Sequence, residues 1–312
     1  MKRKILIALA GLASTFVILY FFFPGTLFGV VARLERSRAG VIVKKIDAAS
    51  WPTPYIEGGQ GEHVLLLHGF GGDKDTFTRY ARFLTPQYHV ISPDLPGFGE
   101  NERRPGERYA IADQAKRVIA FAEALKLTKF HLVGNSMGGH LAGIVAADIP
   151  DKVLSLTLID NAGIKAPKES ERDQLLSEGK NALVVDSEAD FDRLVDFLFF
   201  KKPFIPRPIK KYFAEKALAS REFNLKIFKD LGADKFYLEK RFADIKAPVL
   251  VIWGDHDRVL EISSIEVMKK INPDIEVRIM KNCGHTPQIE RPEEAAQLTT
   301  DFIARVRTHK DR

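Results

Sequence analysis

Cysteine occurs once in this chain of 312 residues, at Cys283. A single thiol excludes an intramolecular disulfide and a cysteine-built zinc cluster. Internal repeats and low-complexity tracts are absent, which excludes a repeat architecture. There is no G-x-G-x-x-G either; Asp94-Leu95-Pro96-Gly97-Phe98-Gly99 is only superficially like a dinucleotide loop and reads as a structural turn. The body also lacks an excess of positive charge. The whole chain carries +6, but residues 1–45 hold eight basic residues and one acid, which leaves the remainder at −1. A nucleic-acid domain carries its basic stripe on the folded part, so nucleic acid is excluded as a partner.

What is present is ordinary globular composition. Apolar residues make up 45% and charged residues 28%, which excludes wholesale disorder. The length suits one large α/β domain or two modest ones. A chain of this size buries roughly three quarters of its unfolded surface and needs no staples.

The one long apolar run lies at the amino terminus. After Lys2-Arg3-Lys4, the nineteen residues Ile5 to Phe23 carry no charge, and none follows until Arg33. A bilayer core takes about 20 apolar residues as a helix, so this run is long enough to span. Tyr20 and Phe21–Phe23 suit the interface, and Pro24-Gly25 breaks or kinks a helix there. A cleaved signal peptide is the competing reading. It has the basic start, but no small-x-small site directly follows Phe23, and the run exceeds a usual h-region. A buried soluble helix fits the flanking charges poorly. The expectation is therefore a single-pass amino-terminal membrane anchor, with the side on which the rest of the chain lies left open.

From about residue 40, strand-like and helix-like segments alternate. Apolar, β-branched runs occur at 63–68, 88–92, 130–134, 153–160, 249–254 and 275–280, with a weaker pair at 41–46 and 53–57. Helical patterns at 76–84, 109–127, 137–149, 263–271 and 293–306 lie between them. Nearly continuous apolar strands alternating with helices imply a mostly parallel sheet covered on both faces. Between Asp160 and Val249 no convincing strand occurs, so residues 164–244 read as a helical cap. The expected divisions are an anchor and basic linker at 1–38, core at 39–163, cap at 164–244 and core again at 245–312.

The strongest chemical signal is Gly134-Asn135-Ser136-Met137-Gly138, a G-x-S-x-G between a strand and a helix. In that setting it is a nucleophile elbow exposing the Ser136 hydroxyl. The base is expected at His285, in Asn282-Cys283-Gly284-His285, after the last strand. The acid is expected at Asp257, which gives the chain order Ser, Asp, His. Asp255, nearer the strand end, and Asp160, at the end of the preceding strand, remain rivals. Backbone N–H groups of Met137 and of Phe70, in His68-Gly69-Phe70-Gly71-Gly72, are the expected oxyanion donors. Cys283 reads as a small packed residue. In the cap, 190–205 is rich in phenylalanine around Lys201 and Lys202. Part of it, Phe199 and Phe200 in particular, is expected to line an apolar pocket or to touch the bilayer.

With these residues placed, residues 60–306 resemble the α/β-hydrolases. More narrowly, they resemble the membrane-anchored monoacylglycerol lipases of the α/β-hydrolase-domain family and their bacterial lipase and esterase relatives. The matching stretches are Leu65–Phe70, Phe130–Gly139, Ile252-Trp253-Gly254 with Asp257, and Asn282–His285. The resemblance implies a serine hydrolase acting on acyl esters or monoacylglycerols, without cofactor or metal, with Ser136, Asp257 and His285 as nucleophile, acid and base. The hydrolases that split carbon–carbon bonds of aromatic ring-fission products share the Gly-Asn-Ser-Met-Gly-Gly stretch, but carry tryptophan after the histidine where this chain has Thr286. Enzymes of this architecture with an aspartate nucleophile are excluded by Ser136. A non-enzymatic ligand-binding member is the remaining alternative.

Overall fold

The structure, a computed structural model, describes Lys4 and residues 19–233 and 235–310. Eight strands form one sheet: β1 (Val41–Ala48), β2 (Trp51–Gly58), β3 (His63–Leu67), β4 (His89–Pro93), β5 (Phe130–Asn135), β6 (Val153–Ile159), β7 (Val249–Gly254) and β8 (Glu276–Met280). Their order across the sheet is β1-β2-β4-β3-β5-β6-β7-β8. β1 and β2 pair antiparallel, as do β2 and β4, and every other pair is parallel.

The apolar runs are explained by burial on both faces. In β3, Leu65 and Leu67 point into one core and Val64 and Leu66 into the other; β7 divides Val251 and Trp253 from Leu250 and Ile252 in the same way. Side chains alternate along a strand, so a strand covered on both faces must be apolar at every position. Helices Ile111–Ala124, Met137–Asp148 and Ser264–Ile271 cover the first face. Thr78–Leu84 and Pro292–Lys310 cover the second.

Between β6 and β7 only helices occur among the described residues: Glu171–Ser177, Glu188–Leu198, Arg207–Ala219, Arg221–Gly232 and Tyr237–Arg241. Residues 24–38, expected as a linker, instead form the helix Pro24–Arg38, with proline in its first turn. Two long-range contacts account for it. Phe28 packs edge-on against Phe213, with ring centroids 4.8 Å apart, and Arg36 Nε donates to Asp75 Oδ1 at 2.6 Å. Most of the expected Ile5–Phe23 span lies outside the described residues. Among those described, no helix is long and apolar enough to cross a membrane.

Below the carboxyl edge of the sheet, Lys74 (2% exposed) meets Asp94 (0% exposed), Nζ to Oδ2, at 3.2 Å. The Asp94 carboxylate also accepts from Lys74 N at 2.6 Å and Glu100 N at 2.9 Å. Removing one partner of a buried pair leaves an uncompensated charge, at a cost of about 3–5 kcal/mol. Lys74→Met should therefore lose stability of that order in urea unfolding, and Lys74→Met/Asp94→Asn should regain part of it. A loss below about 1 kcal/mol in the single variant would contradict the pairing.

Candidate active site

β5 delivers the chain to Ser136 at the centre of the sheet. Every residue from Phe130 to Ala147 is buried except Ser136, which is partly exposed. Its backbone is left-handed, with φ 56° and ψ −119°. Such a conformation is uncommon for a residue with a side chain and persists only where its surroundings over-determine it. Here Ser136 N donates to Ile159 O at 3.0 Å, and the Ser136 carbonyl accepts from His140 N at 3.1 Å and Ala162 N at 3.0 Å. The turn closes only because Gly134 and Gly138 lack Cβ. A methyl on Gly138 would run into the Leu67 and His68 carbonyls, and one on Gly134 into the Gly138 carbonyl.

The loop carrying Phe70 is fixed by a buried imidazole. His68 Nδ1 pairs with Gly69 O at 2.8 Å, and its Nε2 accepts from Leu95 N at 3.0 Å. Burial holds this ring neutral by pushing its pKa down. With Nε2 as acceptor, the one hydrogen sits on Nδ1. Gly69 brings the loop against Ser136, since a Cβ there would stand 3.2 Å from the serine Cβ. The Phe70 N–H has no acceptor among the described residues, and the Met137 N–H, first in its helix, has no intrahelical acceptor. Met137 follows the serine directly, and Phe70 follows the glycine that lies against it.

His285 Nδ1 lies 2.8 Å from Asp257 Oδ2, with both side chains almost fully buried. The other Asp257 oxygen accepts from Val259 N at 2.8 Å and Leu260 N at 3.0 Å. Asp255 turns elsewhere, to His256 Nδ1 at 2.7 Å. Asp160 does not carry the hydrogen bond to His285. Its Oδ1 accepts from Gly254 N at 2.9 Å, and burial, then the adjacent Asp257 charge, push its carboxyl well above the usual range. Of the other buried histidines, His131 pairs with Ser155 Oγ and His140 Nε2 accepts from Leu238 N at 3.1 Å. Burial pushes the Cys283 thiol far up, which suits a packed residue.

Sequence reasoning missed two fastenings. Asn135 Nδ2 donates to the His285 carbonyl at 3.1 Å and so ties the elbow to a loop 150 residues away. Glu290 accepts from Gly284 N at 3.0 Å, Phe200 N at 3.1 Å and Lys201 N at 2.8 Å, and His285 N donates to Leu198 O at 2.8 Å. A buried amide before the serine is a faint signal for the first; Glu290 offers none, because two of its three partners, Phe200 and Lys201, are distant in sequence. Phe199 is partly buried. Phe200 is exposed, its ring against His256 at a 4.3 Å centroid distance. A hydroxyl on a partly exposed, strained turn, an imidazole oriented by a carboxylate, and two free N–H groups are the parts acyl transfer needs.

Residues 62–292 match the alpha/beta hydrolase fold family, and the chain belongs to it. Lipase 1 of Psychrobacter immobilis is 37% identical over 276 residues, 85% of each chain. Monoacylglycerol lipase abhd6-A of Xenopus laevis is 33% identical over 93% of this chain and 90% of its own. Among solved structures, a membrane phospholipase A described as a bacterial virulence factor superposes with a TM-score of 0.90 at 45% identity, covering 98% of this chain and 99% of that one.

Two expectations follow from this geometry. Glu290→Ala leaves three N–H groups without their acceptor and frees the base loop, so kcat/KM should fall about tenfold with the fold retained; unchanged turnover would count against that role. Burial also pulls the His140 imidazole down from 6.5 to about 3. Between those values the unfolded chain binds the extra proton, so this contribution to stability is full above pH 6.5 and is lost as pH falls, at about 1.4 kcal/mol per unit. His140→Gln should flatten the decline of unfolding free energy measured from pH 6.5 downward, and an unaltered slope would contradict it.

Proposed function

We propose that this member of the alpha/beta hydrolase family is a serine carboxylester hydrolase of the lipase and monoacylglycerol lipase type, acting through an acyl-enzyme. The observation that carries the reading is the buried His285–Asp257 pair, joined through Asn135 to the strained, accessible Ser136. Ser136 Oγ attacks the ester carbonyl while His285 Nε2 takes its proton. Asp257 holds the tautomer with hydrogen on Nδ1 and stabilises the imidazolium that forms. The N–H groups of Phe70 and Met137 receive the charge developing on the carbonyl oxygen, and the alcohol leaves with the proton from His285. Water deprotonated by His285 then releases the acid and frees Ser136.

The substrate side rests on the relatives, named as lipase, monoacylglycerol lipase and membrane phospholipase A. An acyl ester or monoacylglycerol taken from a lipid phase is the reading they favour, and no cofactor enters these steps. The charged head Lys2-Arg3-Lys4 and the uncharged run Ile5–Phe23 favour a single-pass anchor holding the body at the membrane. Residues 164–244 then form a cap over the site. Phe199 and Phe200 adjoin Leu198, whose carbonyl holds the His285 loop. That neighbourhood supports reading them as contacts for an acyl chain.

A panel of p-nitrophenyl esters from acetate to palmitate, a monoacylglycerol and a ring-fission dienoate tests this on the purified full-length protein in detergent. Ester turnover should vanish in Ser136→Ala, by about 10⁴-fold or more. Phe199→Ser/Phe200→Ser should lose palmitate activity and keep acetate activity. Wild-type turnover in Ser136→Ala, or dienoate cleavage in place of ester hydrolysis, would overturn the function; equal losses on both esters would remove the two phenylalanines from the acyl site.

A further inference from the structure

The sheet edge beside the base carries two carboxyl groups where the reaction needs one. Asp160 follows β6, Asp257 follows β7, and with His285 they present side-chain oxygen and nitrogen atoms all within 4.8 Å of one another. Their surroundings are unequal. Asp257 has three donors: His285 Nδ1 on one oxygen, and the N–H groups of Val259 and Leu260 on the other. Asp160 is fully buried, has the Gly254 N–H on Oδ1, and receives no protein donor on Oδ2. A buried carboxylate oxygen without a donor is costly, and two carboxylates in such contact do not both ionise.

One proton between them removes both costs. It belongs on Asp160, which has the fewer donors and no solvent. The charged groups facing Asp160 are Asp257 and Glu290, both acidic and both favouring its neutral form, while His285 is shared through Asp257 and the Cys283 thiol lies nearby. We propose that Asp160 is a neutral carboxylic acid whose O–H donates to the Asp257 carboxylate and thereby positions the acid partner of His285. The role rests on the triad reading above. A neutral donor fixes Asp257 without placing a second negative charge beside the imidazole; a second anion would hold the base protonated and idle. The backbone agrees, because Asp160 has φ 42°, a conformation that aspartate and asparagine adopt more readily than most residues.

Asparagine is the isostere of the neutral acid, since its amide offers both the donor to Asp257 and the acceptor for Gly254 N–H. Asp160→Ala should lower kcat by about 10- to 100-fold at little change in KM, and Asp160→Asn should restore most of the loss. The acid limb of the kcat/KM pH profile in Asp160→Asn should stay within about 0.3 unit of the parent. If Asp160 were an anion, its neutralisation would move that limb down by about one unit or more, and this result would overturn the proposal. A second readout needs no turnover: the infrared difference spectrum between Ser136→Ala and Ser136→Ala/Asp160→Asn should show one carboxylic-acid C=O band at neutral pH, lost with Asp160. A carboxylate band in its place would overturn the proposal as well. Failure of ester hydrolysis in the panel would leave this spectrum readable, so the two ideas fail separately.

Discussion

The structure depends on one backbone conformation that is unfavourable by itself. A left-handed, non-glycine residue costs about 1–3 kcal/mol, and Ser136 holds it with a side chain that must also remain accessible. The cost is met by close approach. With no Cβ at Gly134 or Gly138, the Leu67 and His68 carbonyls and the elbow's own backbone come together, and three main-chain hydrogen bonds lock the turn. Parallel strands β3, β5 and β6 therefore have to converge beneath this one residue. Their apolar runs and the helices on both faces are what make that convergence rigid.

The rest of the candidate site is fastened to that turn by polar groups that bond to other parts of the protein. Asn135 reaches from the elbow to the His285 carbonyl, and Glu290 gathers three N–H groups from the His285 loop and the 199–201 segment. His68 fixes the loop of Phe70, and its Leu95 partner belongs to the turn that the Lys74–Asp94 pair supports. Each fastening joins segments far apart in the chain. Geometry at Ser136 is thus set by contacts of long sequence separation, and a change in any of these supports reaches the hydroxyl without altering it.

Much of this was legible in the sequence, for reasons that differ by residue. Strands β3 to β7 could be read because burial on two faces makes them apolar at most positions. The elbow could be read because a local strand–glycine–serine–glycine–helix order is itself a mechanical requirement. Asp160 could be seen as a carboxylate near the site but not as a partner of Asp257, because its state follows from burial and from a neighbour 97 residues away. Helix Pro24–Arg38 was invisible for the same reason. Its first-turn proline reads equally as a break, and its support comes from Phe213 and Asp75. The short pieces between β6 and β7 had periodicity enough to be seen as helices, but not to reveal that the end of one of them, at Leu198, holds the histidine.

The attachment of that first described helix has a mechanical meaning. Phe28 grips the helical layer between β6 and β7, and Arg36 grips Asp75, next to the lysine that supports the loops around Ser136. Residue 24 is therefore the end of a helix pinned to the folded body at two points, a stiff strut and not a leash. Whatever holds the chain ahead of residue 24 is thereby joined at one point to the helices between β6 and β7, through Phe213, and at another to the loop after β3, through Asp75.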